Sequence, residues 1–118
     1  MPNDKITKFD LEERTARFGE NVIKLCQQIS VTYVTGPIIN QIIRSSGSIG
    51  ANYMEANGAS SRRDFRNKIC ICKKESMETK HWLRMLSIVC CSEELKILWQ
   101  EAHELTLIFS KVIRSLDK

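Results

Sequence analysis

The feature that most constrains this chain is the spacing of its apolar residues, which recur at alternating steps of three and four. The clearest run lies near the end of the sequence and consists of Leu95, Leu98, Ala102, Leu105, Phe109, Val112 and Leu116. Such spacing keeps side chains on one side of an α-helix and does not fit the period of two of a β-strand. Only five glycines and two prolines interrupt the 118 residues, whereas sandwiches and barrels need many turn residues. The chain is therefore predicted to be all-α.

The first helix is predicted to begin at Asp10. Glu13 follows three residues later, and an acidic or hydroxyl cap with a glutamate at this distance is typical of a capping box. Residues 1–9 are polar and weakly periodic, so we expect them to form an N-terminal tail. The length that remains, residues 10–118, suits a single domain.

Three further helices are indicated by their capping residues. Pro37 predicts the start of the second helix, because proline fits the first helical position, and Gly58 predicts its end. Ser61 is the predicted cap of a third helix that reaches about Val89, and Ser92 is the predicted cap of the fourth. Four helices with short links predict an antiparallel up-down-up-down four-helix bundle.

Two rows of residues with the same alternating spacing run along the third helix. One row comprises Phe65, Ile69, Cys72, Ser76, Thr79, Leu83, Leu86 and Cys90, and the other comprises Ile71, Glu75, Glu78, Trp82, Met85 and Val89. Together they cover roughly 200° of the helix, which is wider than the stripe that a bundle helix usually buries. We therefore expect part of this arc to meet another copy of the chain in a homo-oligomer. The alternative is a wide stripe buried within one bundle.

The positive charge of the chain is concentrated on one helix. The net charge is +4, and residues 60–118 carry all of the excess. A row of cations that lie within about 40° of one another on the third helix, called here the basic stripe, comprises Arg62, Arg66, Lys73, Lys80 and Arg84. Such a row can follow the phosphates of RNA or DNA; the alternative is a solvated face that maintains solubility. No aromatic residue interleaves the stripe along the sequence, so base stacking is not predicted.

A second row of polar residues runs along the predicted second helix. This polar stripe comprises Arg44, Ser48, Asn52 and Glu55. A hairpin that turns near Ala59 brings Arg44 level with Glu75 and brings Gln41 near Glu78, so we expect ion pairing between the helices. If the pair were fully buried, Arg44→Ala would cost about 3–5 kcal/mol. A functional polar pocket and acid–base catalysis are the less favoured alternatives.

The cysteines are interpreted as small apolar residues with reduced thiols. The five are Cys26, Cys70, Cys72, Cys90 and Cys91. The C-x-C pair points to opposite sides of a helix and cannot chelate one ion there, so we predict no metal and no cofactor. A metal or redox role is the less favoured alternative.

The sequence also argues against catalysis and against a membrane location. It contains no nucleophile–base pair and no glycine-rich phosphate loop, so we expect no enzymatic activity. No apolar run approaches the roughly 18 residues that span a bilayer, and residues 1–14 contain no apolar signal segment. A cytoplasmic protein is expected.

Residues 42–86 carry a patterned motif that resembles a known bacterial family. Its members are four-helix-bundle proteins encoded by intervening sequences in the genes of large-subunit (23S) ribosomal RNA. The residues that carry the resemblance are Arg44, Ser45, Ser48, Ile49, Asn52, Glu55, Gly58, Ser61, Phe65, Glu75, Glu78 and Leu83. Residues 98–115 are also similar to the last helix of the family.

The resemblance implies an up-down-up-down bundle that assembles into a ring-shaped homopentamer. It also brings in a relative, the accessory protein of diversity-generating retroelements, which is a basic pentamer that binds nucleic acid and a reverse transcriptase. Fold similarity does not transfer function, so two hypotheses stand. One is a non-enzymatic module that binds RNA or DNA through the basic stripe, and the other is a protein-interaction scaffold.

Overall fold

The computed structural model describes residues 2–118, with side chains described for residues 11–118. Within these residues the backbone forms four helices and no strand. The helices are α1 (Pro2–Gln27), α2 (Thr35–Asn57), α3 (Arg62–Leu86) and α4 (Glu93–Leu116). The prediction of an all-α chain with four helices is confirmed.

The start of α1 differs from the prediction. The backbone is helical from Pro2, so Asp10 lies inside the helix and the predicted start there is wrong. A proline in the first turn of a helix is favourable, because the N–H that it lacks would have no partner inside the helix. The side chains of residues 1–10 lie outside the described part, so the division into a tail (1–9) and a domain (10–118) stays a prediction.

The caps of the two later helices lie where the sequence placed them. Ser61 Oγ accepts the backbone N–H of Asp64 at 3.0 Å, and Ser92 Oγ accepts that of Leu95 at 3.2 Å. Gly58 directly follows α2, as predicted. The helices are therefore delimited by side-chain hydrogen bonds that replace missing backbone partners.

Two helix ends were misplaced by a few residues. Helix α2 begins at Thr35, so Pro37 falls in its first turn rather than at its start. Helix α3 ends at Leu86 rather than near Val89. There the Ser87 hydroxyl donates to the Arg84 carbonyl at 2.6 Å, a local bond that competes with helix continuation, and two β-branched residues follow.

One core joins all four helices. Helix α4 buries its predicted row from Leu95 to Phe109, and α3 buries the first of its two rows from Ile69 to Leu86. On α2, Ile39 and Tyr53 are buried, whereas Ile38 and Asn52 are only half-buried. Helix α2 buries residues that face α1 as well as residues that face α3. Its buried surface is therefore wider than a single row of residues at steps of three and four.

Helix α3 lies between α2 and α4, and α1 packs on the opposite side against the same two helices. Along one side of α3, Lys68 bonds Glu55 of α2, and along the other, Arg66 bonds Asp117, which directly follows α4. In both cases a residue early in α3 meets one at or near the end of its neighbour, so α3 runs opposite to both. We call these two boundaries the α2/α3 seam and the α3/α4 seam.

Of the two glycines in the middle of α2, Gly47 and Gly50, only Gly50 lies close to a neighbouring helix. A Cβ on Gly50 would lie 3.5 Å from Thr15 Oγ1 and 3.6 Å from the Thr15 backbone, so α1 and α2 touch there. A Cβ on Gly47 would meet nothing within 4 Å. In the part of the chain that the structure describes, no helix is both long enough and apolar enough to cross a membrane.

Candidate nucleic-acid interface

The α2/α3 seam brings Arg44 between the two glutamates that the hairpin register predicted. Arg44 Nη1 donates to Glu75 Oε2 at 3.2 Å, and Nη2 donates to Glu78 Oε2. Arg44 Nε donates to Gln41 Oε1 at 3.0 Å. The guanidinium is thus held by three acceptors on two helices, and the polar stripe of α2 is fixed against α3.

This ion pair is less buried than the sequence argument assumed. The Arg44 side chain is 48% exposed, whereas the Glu75 side chain is 11% exposed. An exposed guanidinium keeps much of its hydration, so the cost of its removal falls below that of a fully buried pair. Most of the remaining loss of stability on removal of Arg44 would come from Glu75, which would be nearly buried and without its partner.

The other members of the polar stripe also form bonds along the same seam. Asn52 Nδ2 donates to both the backbone oxygen and the hydroxyl of Ser48, each at 2.9 Å. Glu55 accepts from Lys68 Nζ at 2.6 Å. The sequence argument had not identified Lys68 as a partner, although the register that pairs Arg44 with Glu75 also brings Lys68 close to Glu55. The Lys68–Glu55 bond joins the two helices, whereas the Asn52–Ser48 bonds lie within α2.

Glu78 is held in its charged form. The indole N–H of Trp82 donates to Glu78 Oε2 at 3.0 Å. This hydrogen bond, together with the positive charge of Arg44, holds the pKa of Glu78 below its usual range. A general acid would need the opposite shift, toward a pKa near neutrality, so the local electrostatics favour ion pairing over acid–base catalysis at this seam.

The N-terminal end of the basic stripe is bound by the C-terminal end of α4. Arg66 donates to both carboxylate oxygens of Asp117, at 2.7 and 2.9 Å. Arg62 Nη2 donates to the Leu116 carbonyl at 2.7 Å. The Arg66 guanidinium lowers the pKa of the Asp117 carboxyl. The five predicted cations therefore differ in their surroundings, because Arg66 is paired with a carboxylate and Arg62 has a backbone acceptor.

The middle and C-terminal part of the stripe keeps its charge. Lys73 is half-buried and Arg84 is exposed, and neither has an ion-pair partner among the described side chains. Lys80 Nζ lies 3.0 Å from His103 Nδ1 and 5.0 Å from the centre of the Trp99 ring. These contacts hold the Lys80 side chain in place without cancelling its charge.

Aromatic residues adjoin the basic stripe in the folded protein. Trp99 and His103 of α4 lie beside Lys80, with ring planes within 10° of parallel and centres 5.5 Å apart. The expectation that no aromatic group interleaves the stripe was correct along α3 and wrong in three dimensions. The signal was available in the sequence: the turn at Cys90 and Cys91 lies midway between Lys80 and the segment that carries these rings.

Helix α4 adds cations to the same side. Lys96 and Arg114 are both exposed. They lie about two turns before and three turns after His103, and therefore at nearly the same angle around the helix. Because His103 meets Lys80 at the α3/α4 seam, this side of α4 borders the basic stripe. The surface formed by the two helices is called here the α3/α4 face.

The two cysteines of the C-x-C pair occupy different surroundings. Cys72 is buried in the core, and its Sγ lies 3.5 Å from the Ile49 carbonyl. Burial raises the pKa of the Cys72 thiol to about 12. Cys70 is half-buried, and its Sγ lies 3.6 Å from Arg66 Nη1. Among the described side chains, no group of three or more His, Cys, Asp or Glu is placed to hold a metal ion.

Comparison with known proteins assigns the chain to a family. A crystal structure of a protein of unknown function from Bacteroides thetaiotaomicron, assigned to the S23 ribosomal protein family, superposes on it with a TM-score of 0.75. The two are 30% identical, over 87% of this chain and 97% of that one. No curated protein matches the sequence. The model of the 23S rRNA-intervening sequence protein family matches residues 7–96. Since this match covers most of the four-helix domain, the chain belongs to the 23S rRNA-intervening sequence protein family.

Proposed function

We propose that this protein is a non-enzymatic module that binds RNA or DNA through the α3/α4 face. The observation that carries the proposal is the placement of Lys73, Lys80 and Arg84 along one side of α3, with no carboxylate bonded to any of them among the described side chains. Lys96 and Arg114 of α4 add charge to the same face. Cations of this kind contact phosphates and position a nucleic acid without reading its sequence.

A homo-oligomer is part of the proposal. The second predicted row leaves apolar groups exposed, with Ile71 of α3 at 38% and Val89, three residues beyond the end of α3, at 51%. The opposite directions of α3 and its two neighbours support an up-down-up-down bundle. In such a bundle, the exposed apolar groups of this row would pack against another copy of the chain. The family resemblance implies a ring of five. Repeating the α3/α4 face around a ring would raise the affinity for a long polyanion through avidity.

The assembly is tested by light scattering coupled to gel filtration at micromolar concentration. A mass several times 13.6 kDa supports the oligomer, and five times that mass supports the ring. A mass near 13.6 kDa would contradict both. The five cysteines have no disulfide partner, and a cytoplasmic location, where thiols stay reduced, completes the proposal.

Nucleic-acid binding is tested with the double variant Lys73→Glu/Arg84→Glu. Labelled RNA and duplex DNA of random sequence are titrated at low and at physiological salt. We expect the wild type to bind with little sequence preference and with an affinity that falls steeply as salt rises. The double variant should lose at least about tenfold in affinity at low salt, because two phosphate contacts become repulsive.

The matched control is Arg17→Glu/Lys24→Glu. Both of these cations are exposed and lie on α1, which contributes no residue to the α3/α4 face, and the control changes the net charge by the same amount. Its affinity should stay within about threefold of the wild type, because only the long-range field changes. Equal losses in the two double variants would contradict a site on the α3/α4 face, and no binding by the wild type at low salt would contradict nucleic-acid binding altogether.

A protein-interaction scaffold is the second candidate, and one cavity favours it. A groove of about 490 Å³ lies between α1 and α2, opposite the basic stripe. Small and apolar residues line it, including Ala16, Gly19, Ile23, Ile43 and Met54. Grooves with this lining accept an apolar helix face. A wild-type protein that binds no nucleic acid at low salt would favour this candidate.

A further inference from the structure

Two aromatic rings on the α3/α4 face, those of Trp99 and His103, lie nearly parallel and are offset from one another. Trp99 and His103 are half-buried, and their ring centres lie 5.5 Å apart with nearly parallel planes. Parallel aromatic planes in contact are only about 3.5 Å apart, so this separation means that the rings are offset. Each ring therefore leaves part of its face uncovered by the other.

Cations surround this aromatic pair. Lys80 Nζ lies within 5.0 Å of the Trp99 ring centre. Lys73 and Arg84 lie on the same side of α3, one on each side of Lys80, and the two are about 16 Å apart along the helix at 1.5 Å per residue. The aromatic surface is thus set in the middle of a row of positive charge rather than at its edge.

An aromatic surface bordered by cations is the arrangement with which proteins bind single-stranded nucleic acids. Every nucleobase has a π-face, so stacking tolerates any sequence, while the cations hold the phosphates on either side. The bases of a duplex are already stacked on one another and cannot reach such a surface without being unpaired. A face built only to contact phosphates would need the cations and not the rings.

We propose that the Trp99–His103 pair stacks an unpaired nucleobase, so that the protein prefers single-stranded over duplex RNA. Trp99 is the principal stacking residue, and the ammonium group of Lys80 contacts the phosphate next to the stacked base. This inference rests on the proposed function, since it specifies which nucleic acid the α3/α4 face takes.

The chain offers a direct optical test, because it contains two tryptophans on different sides of α3. Trp82 donates to Glu78 at the α2/α3 seam, whereas Trp99 lies beside Lys80. In Trp82→Phe the emission comes from Trp99, and in Trp99→Phe it comes from Trp82. A short single-stranded RNA should quench the emission of Trp82→Phe, and it should leave that of Trp99→Phe unchanged at the same occupancy.

Affinity is measured separately, by anisotropy of labelled single-stranded and duplex RNA. Trp99→Ala should weaken single-strand binding by about fivefold or more, as expected for the loss of one stacked base, and should change duplex binding by less than about twofold. Trp99→Tyr should recover most of the single-strand affinity, because it restores an aromatic face. Circular dichroism of each variant establishes that the helices are retained, and the quenching measured with Trp82→Phe tests the inference if Trp99→Ala does not fold.

The outcomes separate this inference from the function on which it rests. If the wild type binds single-stranded and duplex RNA equally, without quenching of Trp99, the stacking inference is wrong and phosphate binding stands. If Trp99→Ala and Trp99→Tyr weaken both ligands alike, the ring is structural and the inference is again wrong. If the wild type binds neither ligand at low salt, the proposed function and this inference fail together.

Discussion

The two seams of α3 contain similar residues, but they differ in whether the charged side chains form ion pairs. At the α2/α3 seam each charged group meets an opposite charge on the neighbouring helix, as in the Arg44–Glu75 and Lys68–Glu55 pairs. At the α3/α4 seam, the ion pair found among the described side chains is that of Arg66 and Asp117 at one end. Along the rest of that seam, the neighbours of the basic stripe are aromatic rings and further cations. The first seam thus uses its charges to hold two helices together, and the second leaves cations without a carboxylate partner among the described side chains.

The contrast also separates stability from binding on a single helix. Paired charges contribute to folding and are neutral to a ligand, whereas unpaired cations repel one another in the free protein and gain energy only when a polyanion arrives. Substitutions at the α2/α3 seam should therefore alter the free energy of unfolding. Substitutions at the α3/α4 seam should alter affinity.

The largest expected difference in stability concerns Arg44 and Lys73. Arg44→Ala should lower the free energy of unfolding by about 1–3 kcal/mol, because it leaves the nearly buried Glu75 without its partner. Lys73→Ala should change it by less than about 0.5 kcal/mol. Urea unfolding at neutral pH, followed by circular dichroism, measures both. The double variant Arg44→Met/Glu75→Gln should recover part of the loss, and equal effects of Arg44→Ala and Lys73→Ala would remove the distinction between the seams.

The rates of thiol labelling of Cys70 and Cys72 compare the two seams, because Cys72 lies against α2 and Cys70 lies beside Arg66. Cys70 should react with a maleimide at least about tenfold faster than Cys72, because only a thiolate reacts and burial raises the pKa of Cys72 to about 12. Tandem mass spectrometry of the labelled peptide distinguishes the two positions, and Cys70→Ala and Cys72→Ala verify the assignment. Comparable rates in the folded protein would show that the α2/α3 seam opens as readily as its counterpart.

Asp117→Asn removes the ion pair between Arg66 and Asp117 at one end of the α3/α4 face. The substitution releases Arg66 from its carboxylate, so we expect RNA affinity to rise by about two- to fivefold at low salt. The slope of log affinity against log salt should steepen by up to about 0.7–0.9, the value for one additional phosphate contact. Glu55→Gln releases Lys68 at the other seam and should change neither quantity. An unchanged slope in Asp117→Asn would place Arg66 outside the nucleic-acid contact.

The smallest effect is the pH dependence of the α2/α3 seam. The folded pKa of Glu78 lies below its usual range, chiefly through the Trp82 hydrogen bond. The stabilisation from this group is therefore present above the unfolded pKa of about 4.3 and is lost as pH falls through the lower, folded value. We expect less than about 1 kcal/mol from this residue. Unfolding of Glu78→Gln should show a correspondingly weaker loss of stability below about pH 4 than the wild type, and identical pH profiles would contradict the assignment.

The sequence predicted the elements of the fold because the signals for them are local. The 3–4 spacing in α4 and the caps Ser61 and Ser92 depend on residues within one or two turns, so one chain segment contains the whole signal. The contact of Arg44 with the two glutamates was also predictable, since a hairpin of two helices has a register that its turn fixes. The start of α1 was missed, because a capping pattern at Asp10 does not prevent a helix from continuing through it.

The sequence by itself determined the four helices, the buried rows of α3 and α4, and the row of positive charge along α3. Only the tertiary structure decided which of those charges remain available. Arg66 is neutralised by a carboxylate near the end of the chain, and Lys80 is flanked by rings from α4, and neither contact is local in sequence. The physical reason is that ion pairs and cation–π contacts form over a few ångströms in space. The availability of a cation therefore depends on which side chains of the neighbouring helix lie beside it.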